Sequence, residues 1–338
     1  VILPDENGFY EPGTERFNKK FNEITSATSN SKGEKLGSRF FDKSALYHVQ
    51  GEYKFNDNFA YYTVGGNGRY YTPNSNGTIF YDTAGIKITT YEYGVYGGLE
   101  KKLFKDKFTF NAAVRADKNK NFDLLISPAA SVVWNPSPNN YFRFSFSSAI
   151  RNPTLTDQYL NLNVGPATLV GNLYGADSVI TVESFIDHLT DLSNKVEYFN
   201  IDPIKPEKVK SFELGARTTL FEKIYVDAGY FYSIYNDFIG YNIGIKSEFD
   251  PVTSLPNFVN VYRYAANSTN TVTTQGFNIG LNYYFATYYM VAANYSWNKL
   301  NKTFAEDPII PAFNTPEHKY NVSISARNLE INLGRKSL

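Results

Sequence analysis

Apolar and polar side chains alternate along most of this 338-residue chain. In 141–151, Phe142, Phe144 and Phe146 fall on one side of an extended backbone, and Arg143, Ser145 and Ser147 on the other. In 205–220, Phe212, Leu214 and Ala216 oppose Ser211, Glu213 and Arg217. The same period of two predicts strands at 44–55, 59–69, 89–104, 108–117, 124–134, 224–235, 257–265, 271–285, 289–297 and 318–326. The runs 257–265 and 271–285 can be joined as one long strand broken at 267–270, so the count is about eleven. Between 154 and 205 the alternation lapses. There, 182–196 carries Val182, Phe185, Ile186, Leu189, Leu192 and Val196 at helical spacing, which predicts a short amphipathic helix within a long loop. Residues 1–43 are polar, show no clear period and are predicted as loop.

The connections alternate in length. Short turns are expected at 56–58, 105–107, 135–140, 221–223 and 286–288, and looser connections lie between them. Short turns on one side, long loops on the other, and strands of mostly 9–16 residues are the pattern of an antiparallel transmembrane β-barrel. Soluble sandwiches use shorter strands, typically about 5–6 residues. The fold class expected is therefore all-β, with a polar face turned to a lumen. Near the short turns the apolar side carries Phe55, Phe59, Phe104, Phe108, Trp134, Tyr141, Phe285 and Tyr289, with Ile224 the exception. Such a row is expected as an aromatic girdle at one membrane interface.

Composition sharpens this picture. The chain has 28 Tyr and 27 Phe against 2 Trp, and Tyr suits a boundary with one wet side and one apolar side. No run of about 18 apolar residues is present, so a membrane-spanning helix is excluded. With 33 basic and 33 acidic residues there is no electrostatic footprint for nucleic acid. Cysteine is absent, which removes disulfides and thiolate chemistry. The first residues lack the basic and apolar regions of a signal peptide, so a leader was removed or the sequence begins mid-chain.

Two ordered motifs resemble a known family. SSAIRNPT follows one strand, and IKPEKVKSFELGART opens the next. Ser148, Arg151, Pro153 and Thr154, then Pro206, Glu207, Val209, Phe212, Glu213 and Gly215, are similar to barrel motifs of TonB-dependent outer-membrane receptors. Ile150 stands where that pattern usually has an aromatic. KSALYHVQGEYKF and NTPEHKYNVSISARNL resemble the Bacteroidetes branch that includes the SusC-like transporters. The resemblance implies a 22-stranded barrel around an N-terminal plug, of which this chain holds the C-terminal half. Residues 1–43 would be an extracellular loop entering the wall. Residues 44–338 would be partial barrel, with long extracellular loops at 150–207, 236–258 and 298–317.

The function implied is import of a glycan, peptide or metal chelate across the Gram-negative outer membrane, energised by TonB. The partners implied are the lipid bilayer, the plug, TonB and a SusD-like surface lipoprotein. The alternative is a structural or secretion-associated barrel that docks a lipoprotein or protein cargo. Arg115, Asp117, Arg143, Glu213, Arg217 and Asp227 are expected on the lumen face, pairing with one another and meeting the plug. Arg151 is a ligand-contact candidate at the foot of the longest loop, though a strand-end turn held by Pro153 explains it more plainly. Tyr159, Tyr174, Phe238, Tyr241 and Phe313 are loop aromatics able to stack on a ligand, and packing of the loops themselves is the plainer role for each. No hydrolase, metalloprotease or phosphate-loop motif occurs, so no enzyme is expected. His48, His188 and His318 lie on separate elements, and neither a metal nor a cofactor is expected.

Overall fold

The computed structural model describes residues 8–26, 39–83, 85–286, 288–301, 310–311, 315–327, 332–333 and 336–337. Eleven strands form one sheet in chain order, each antiparallel to its neighbours. They are β1 (Ala45–Asn56), β2 (Tyr61–Thr72), β3 (Thr90–Leu103), β4 (Phe108–Asn119), β5 (Phe122–Ser137), β6 (Asn140–Arg151), β7 (Glu207–Leu220), β8 (Ile224–Asn236), β9 (Val272–Phe285), β10 (Tyr289–Asn301) and β11 (His318–Ala326).

Register keeps the two faces pure, because directly paired residues share a face. One row runs Phe110, Val132, Phe144, Leu214, Tyr230, Phe277 and Trp297 across consecutive strands. A row on the opposite face runs Asn111, Ser131, Ser145, Glu213, Phe231, Gly276 and Asn298. The sheet is thus a wall with one apolar and one mostly polar face. No helix among the described residues is long and apolar enough to cross a membrane.

At the short-turn end, left-handed backbone at Phe104, Lys105 and Asp106, and again at Phe221 and Glu222, reverses the chain. Asp57 makes its turn with its carboxylate, which accepts from the Phe59 and Ala60 amides at 2.7 and 2.9 Å. Aromatic rings stack beside these turns. Phe108 meets Trp134 at 6.2 Å, Trp134 meets Phe142 at 5.3 Å, and Phe285 meets Tyr289 at 5.6 Å. Tyr141 does not join this girdle. It pairs in register with Arg217 on the polar face and donates its hydroxyl to the Pro138 carbonyl at 2.9 Å. Phe142 holds the outward position, because it shares its face with Phe144 and Phe146 and the neighbouring Tyr141 must point the other way.

The long-loop end is more ordered than its sequence indicates. The strands Ala176–Ile180, Tyr198–Ile201, Ile239–Lys246, Asn260–Asn267, Thr168–Val170 and Asn161–Asn163 build most of a seven-stranded sheet. Asn260–Asn267 is therefore no part of the wall. It pairs with Ile239–Lys246, a segment whose glycines and single-residue polar breaks read as loop. The buried apolar residues gather here: Val179, Ile201, Tyr264 and Ala266 form one cluster, and Ile180, Phe185 and Ile245 another.

Among the described residues three helices accompany the sheets. α1 (Glu15–Ser26) lies within the 1–43 segment expected as loop. Phe17 and Phe21 stack on it at 5.7 Å, and Thr14 accepts from the Phe17 amide at its start. Its apolar Phe17, Phe21 and Ile24 fall at i, i+4 and i+7, a helical spacing that the reading of this segment as loop passed over. α2 (Leu155–Tyr159) starts at a capping box between Thr154 and Asp157. α3 (Val182–Thr190) is the helix expected in the long loop, capped by Thr181.

Candidate functional site

Alternation places the charged residues of the wall on its polar face, and register brings them together. Arg115 clamps Asp117 with Nε and Nη2, at 2.7 and 2.6 Å, and reaches Asn67. Gly94 sits opposite Asp117, and a side chain there would collide with this pair. Arg217 grips Asp227 at 2.9 and 2.6 Å, and Arg143 meets Glu213 at 3.3 Å. The six residues expected on a lumen face thus make three ion pairs along one face of the wall.

At the rim, Arg151 ends β6 and pairs with Glu207 at the start of β7, 3.2 Å apart. Glu207 is buried, and its other role is to accept the Ile239 amide at 2.8 Å. The strand-end pair therefore ties the wall to the loop sheet. Arg151 also lines a 630 Å³ cavity on the polar face with Arg69, Glu92, Arg115 and Asp117. That cavity holds carboxylates beside its guanidinium groups, so its charge is largely internal.

A second cavity of 760 Å³ opens among the loops. Its walls come from the β2–β3 connection, the chain after α2 and the loop sheet. The Phe80–Leu160 bridge and the Asn161 amide bond to the Ile79 carbonyl join the first two. Gly171 lets its backbone lie against Gln158 and Tyr159, where any side chain would strike main-chain atoms. Tyr159 lines this cavity, its hydroxyl accepting from Asn121 Nδ2 at 2.7 Å, and burial pushes its phenol above the usual range. Tyr174, 86% exposed, lines it too.

The remaining loop candidates lie elsewhere. Phe238 is buried, edge-on to Tyr235 at 5.5 Å. Tyr241 packs under the Arg263 guanidinium at 4.6 Å. Phe313 lies outside the described residues. Sequence reasoning passed over Lys87, Lys120, Lys246, Tyr262 and Tyr264, which line the loop cavity. They are scattered from 87 to 264, and no spacing rule links them.

No group of three or more His, Asp or Glu suited to a metal occurs among the described residues. His188, beside Asp187 and Asp191 in sequence, spends both ring nitrogens on carbonyl oxygens, of Asn194 at 2.6 Å and Ser254 at 2.8 Å.

With this geometry in hand, comparison with known proteins decides the family. The TonB dependent receptor-like β-barrel family matches residues 5–330. The chain belongs to that family. Members of the TonB-dependent receptor family are outer-membrane proteins of Gram-negative bacteria, so the apolar face of the receptor wall is its lipid face and the polar face lines the lumen.

Solved structures share the receptor fold. The siderophore receptor PirA from Pseudomonas aeruginosa is 16% identical, with TM-score 0.54, covering 77% of this chain and 41% of its own. The copper transporter OprC is 12% identical, with TM-score 0.57, covering 84% and 41%. The hemophore receptor HasR from Serratia marcescens, solved with its hemophore and heme, is 12% identical, with TM-score 0.57, covering 85% and 49%. The chain thus spans less than half the length of these receptors. No curated protein sequence shows significant similarity. The family and these structures are receptors and transporters, not enzymes.

Proposed function

We propose that this chain is the C-terminal half of an active importer. Its extracellular loop assembly captures a nutrient ligand, and the lumen passes it inward past a plug domain pulled by TonB. One observation carries the reading: the loops fold into a cored sheet that holds a 760 Å³ cavity above a wall of internally paired charges. A passive wall has no need of a rigid loop domain. A capture site does, because pre-ordered loops pay less conformational entropy when a ligand binds.

The candidate ligands are a glycan, a peptide or a metal chelate. PirA, OprC and HasR are named for a siderophore, copper and a hemophore, which favours the chelate. The motifs at 43–55 and 314–329 support a SusC-like receptor of Bacteroidetes with a SusD-like surface lipoprotein as its partner. Arg151 acts by holding the loop sheet to the rim, and Tyr159 and Tyr174 act as ring contacts in the loop cavity.

Deleting the gene tests this. The deletion strain should fail to grow on one class of scarce nutrient, and should recover with the intact gene only when TonB is present. Unchanged growth on every class, with loss of a surface lipoprotein or secreted protein instead, would overturn import and favour a docking or secretion barrel.

A further inference from the structure

The loop cavity is lined by Lys87, Lys120 and Lys246, and by no carboxylate. Among the described residues none of the three enters an ion pair. Lys120 donates to the Thr89 carbonyl at 2.6 Å, and Lys246 to the Asp177 carbonyl at 2.5 Å. Those bonds aim the ammonium groups without cancelling their charge. The lumen-face cavity differs, since its Arg115 and Arg151 are matched by Asp117 and Glu207.

Ring faces make up much of the rest. Tyr81, Tyr159, Tyr174, Phe258, Tyr262 and Tyr264 all line the cavity, and Tyr262 and Tyr264 sit 5.7 Å apart. Burial pushes the Tyr264 hydroxyl up to about 12, so it adds no negative charge near neutral pH. Three uncompensated cations in a concave, partly apolar site focus a positive potential where a ligand would lie.

We infer that this cavity selects a small anion with a flat, ring-bearing body over a neutral molecule of the same size. The rings supply stacking area, and the lysines supply the discrimination. A neutral glycan would satisfy the rings and leave three ammonium groups partly desolvated without a counter-charge. The inference rests on the loop cavity being the capture site, and it names the class of ligand captured there.

Calorimetric titration of the detergent-extracted, full-length receptor tests it, with naphthalene-1,5-disulfonate as the anionic ring probe and 2-naphthyl glucoside as the neutral one. At low salt the disulfonate should bind about tenfold more tightly or better, with the gap closing as salt rises. Lys87, which bonds no backbone carbonyl among the described residues, gives the cleanest variants. Lys87→Glu should weaken the disulfonate about tenfold and Lys87→Gln about threefold, with the glucoside little changed. Equal affinity for both probes, no binding of either, or a disulfonate affinity untouched by Lys87→Glu would overturn the inference. Because the titration involves no uptake, selective binding in a receptor that fails the growth test would remove only the importer reading.

Discussion

The wall and the loop assembly solve the burial problem in opposite ways. In the wall, Val95, Ile126 and Leu214 stand 63%, 62% and 56% exposed at mid-strand. In the loop assembly, Val179 and Ile180 are 0% and 1% exposed. Both regions are strands of similar chemistry. The difference is the solvent. Lipid accepts the apolar face of the wall, so that face needs no protein partner. The loop assembly faces water and must bury its apolar groups in itself. A substitution that unfolds one region should therefore spare the other, and the comparison can be broken from either side.

The largest effect is expected at Gly244, whose missing side chain leaves room for Val179. Gly244→Val should open the loop sheet and abolish ligand capture. Trypsin should then cut freely within 152–206 and 237–271, while the wall still migrates faster unheated than boiled on SDS gels. Loss of that heat shift would show that the two regions fold as one.

Ile180→Ala should weaken the loop assembly by about 2–5 kcal/mol, read as a lower denaturant midpoint for loop proteolysis. From the other side, Leu214→Arg places a charge on the lipid face near mid-strand. It should cost the wall about 2–4 kcal/mol, read as a smaller folded fraction in bilayers, and an unchanged fraction would mean that this face does not meet lipid.

Arg217→Ala leaves Asp227 alone on the lumen side. Both are about half exposed, so the loss should be about 1 kcal/mol or less, within reach of careful folding titrations.

The smallest effect is a pH dependence confined to the loops. His188 lies between two carbonyl oxygens and edge-on to Phe249, 4.8 Å away. Only the imidazolium donates to both carbonyls, and these bonds raise its pKa above the ordinary value. The nearby carboxylates are engaged elsewhere, Asp191 with Ser193 and Asp250 with Val252 and Thr253. A raised folded pKa means the clasp between α3 and the Asp250–Leu255 turn is complete below the ordinary histidine range. It is lost as pH rises through the raised value. Proteolysis at Lys195 should quicken as pH rises above the ordinary histidine range, and His188→Phe should remove the pH dependence.

The period of two determined the wall. Each strand carries its own alternation, so β1 to β11 are legible one at a time, as are the short turns between them. The girdle was legible except at Tyr141, which the alternation of Phe142, Phe144 and Phe146 already puts on the other face. The ion pairs were half legible. Arg115, Asp117, Arg143, Glu213, Arg217 and Asp227 show their face by parity, but only register shows which acid meets which base.

The loop sheet was decided by tertiary structure. Its strands run two to eight residues, and Ala176–Ile180 and Thr168–Val170 find their partners far along the chain. The strand near 257–265 shows a local period, and it was read as wall; the shorter segments that pair over long separations leave none, because their burial comes from distant partners. The same reason hides the loop cavity: lysines and tyrosines from 81 to 264 share a site only after the chain has folded back across the rim.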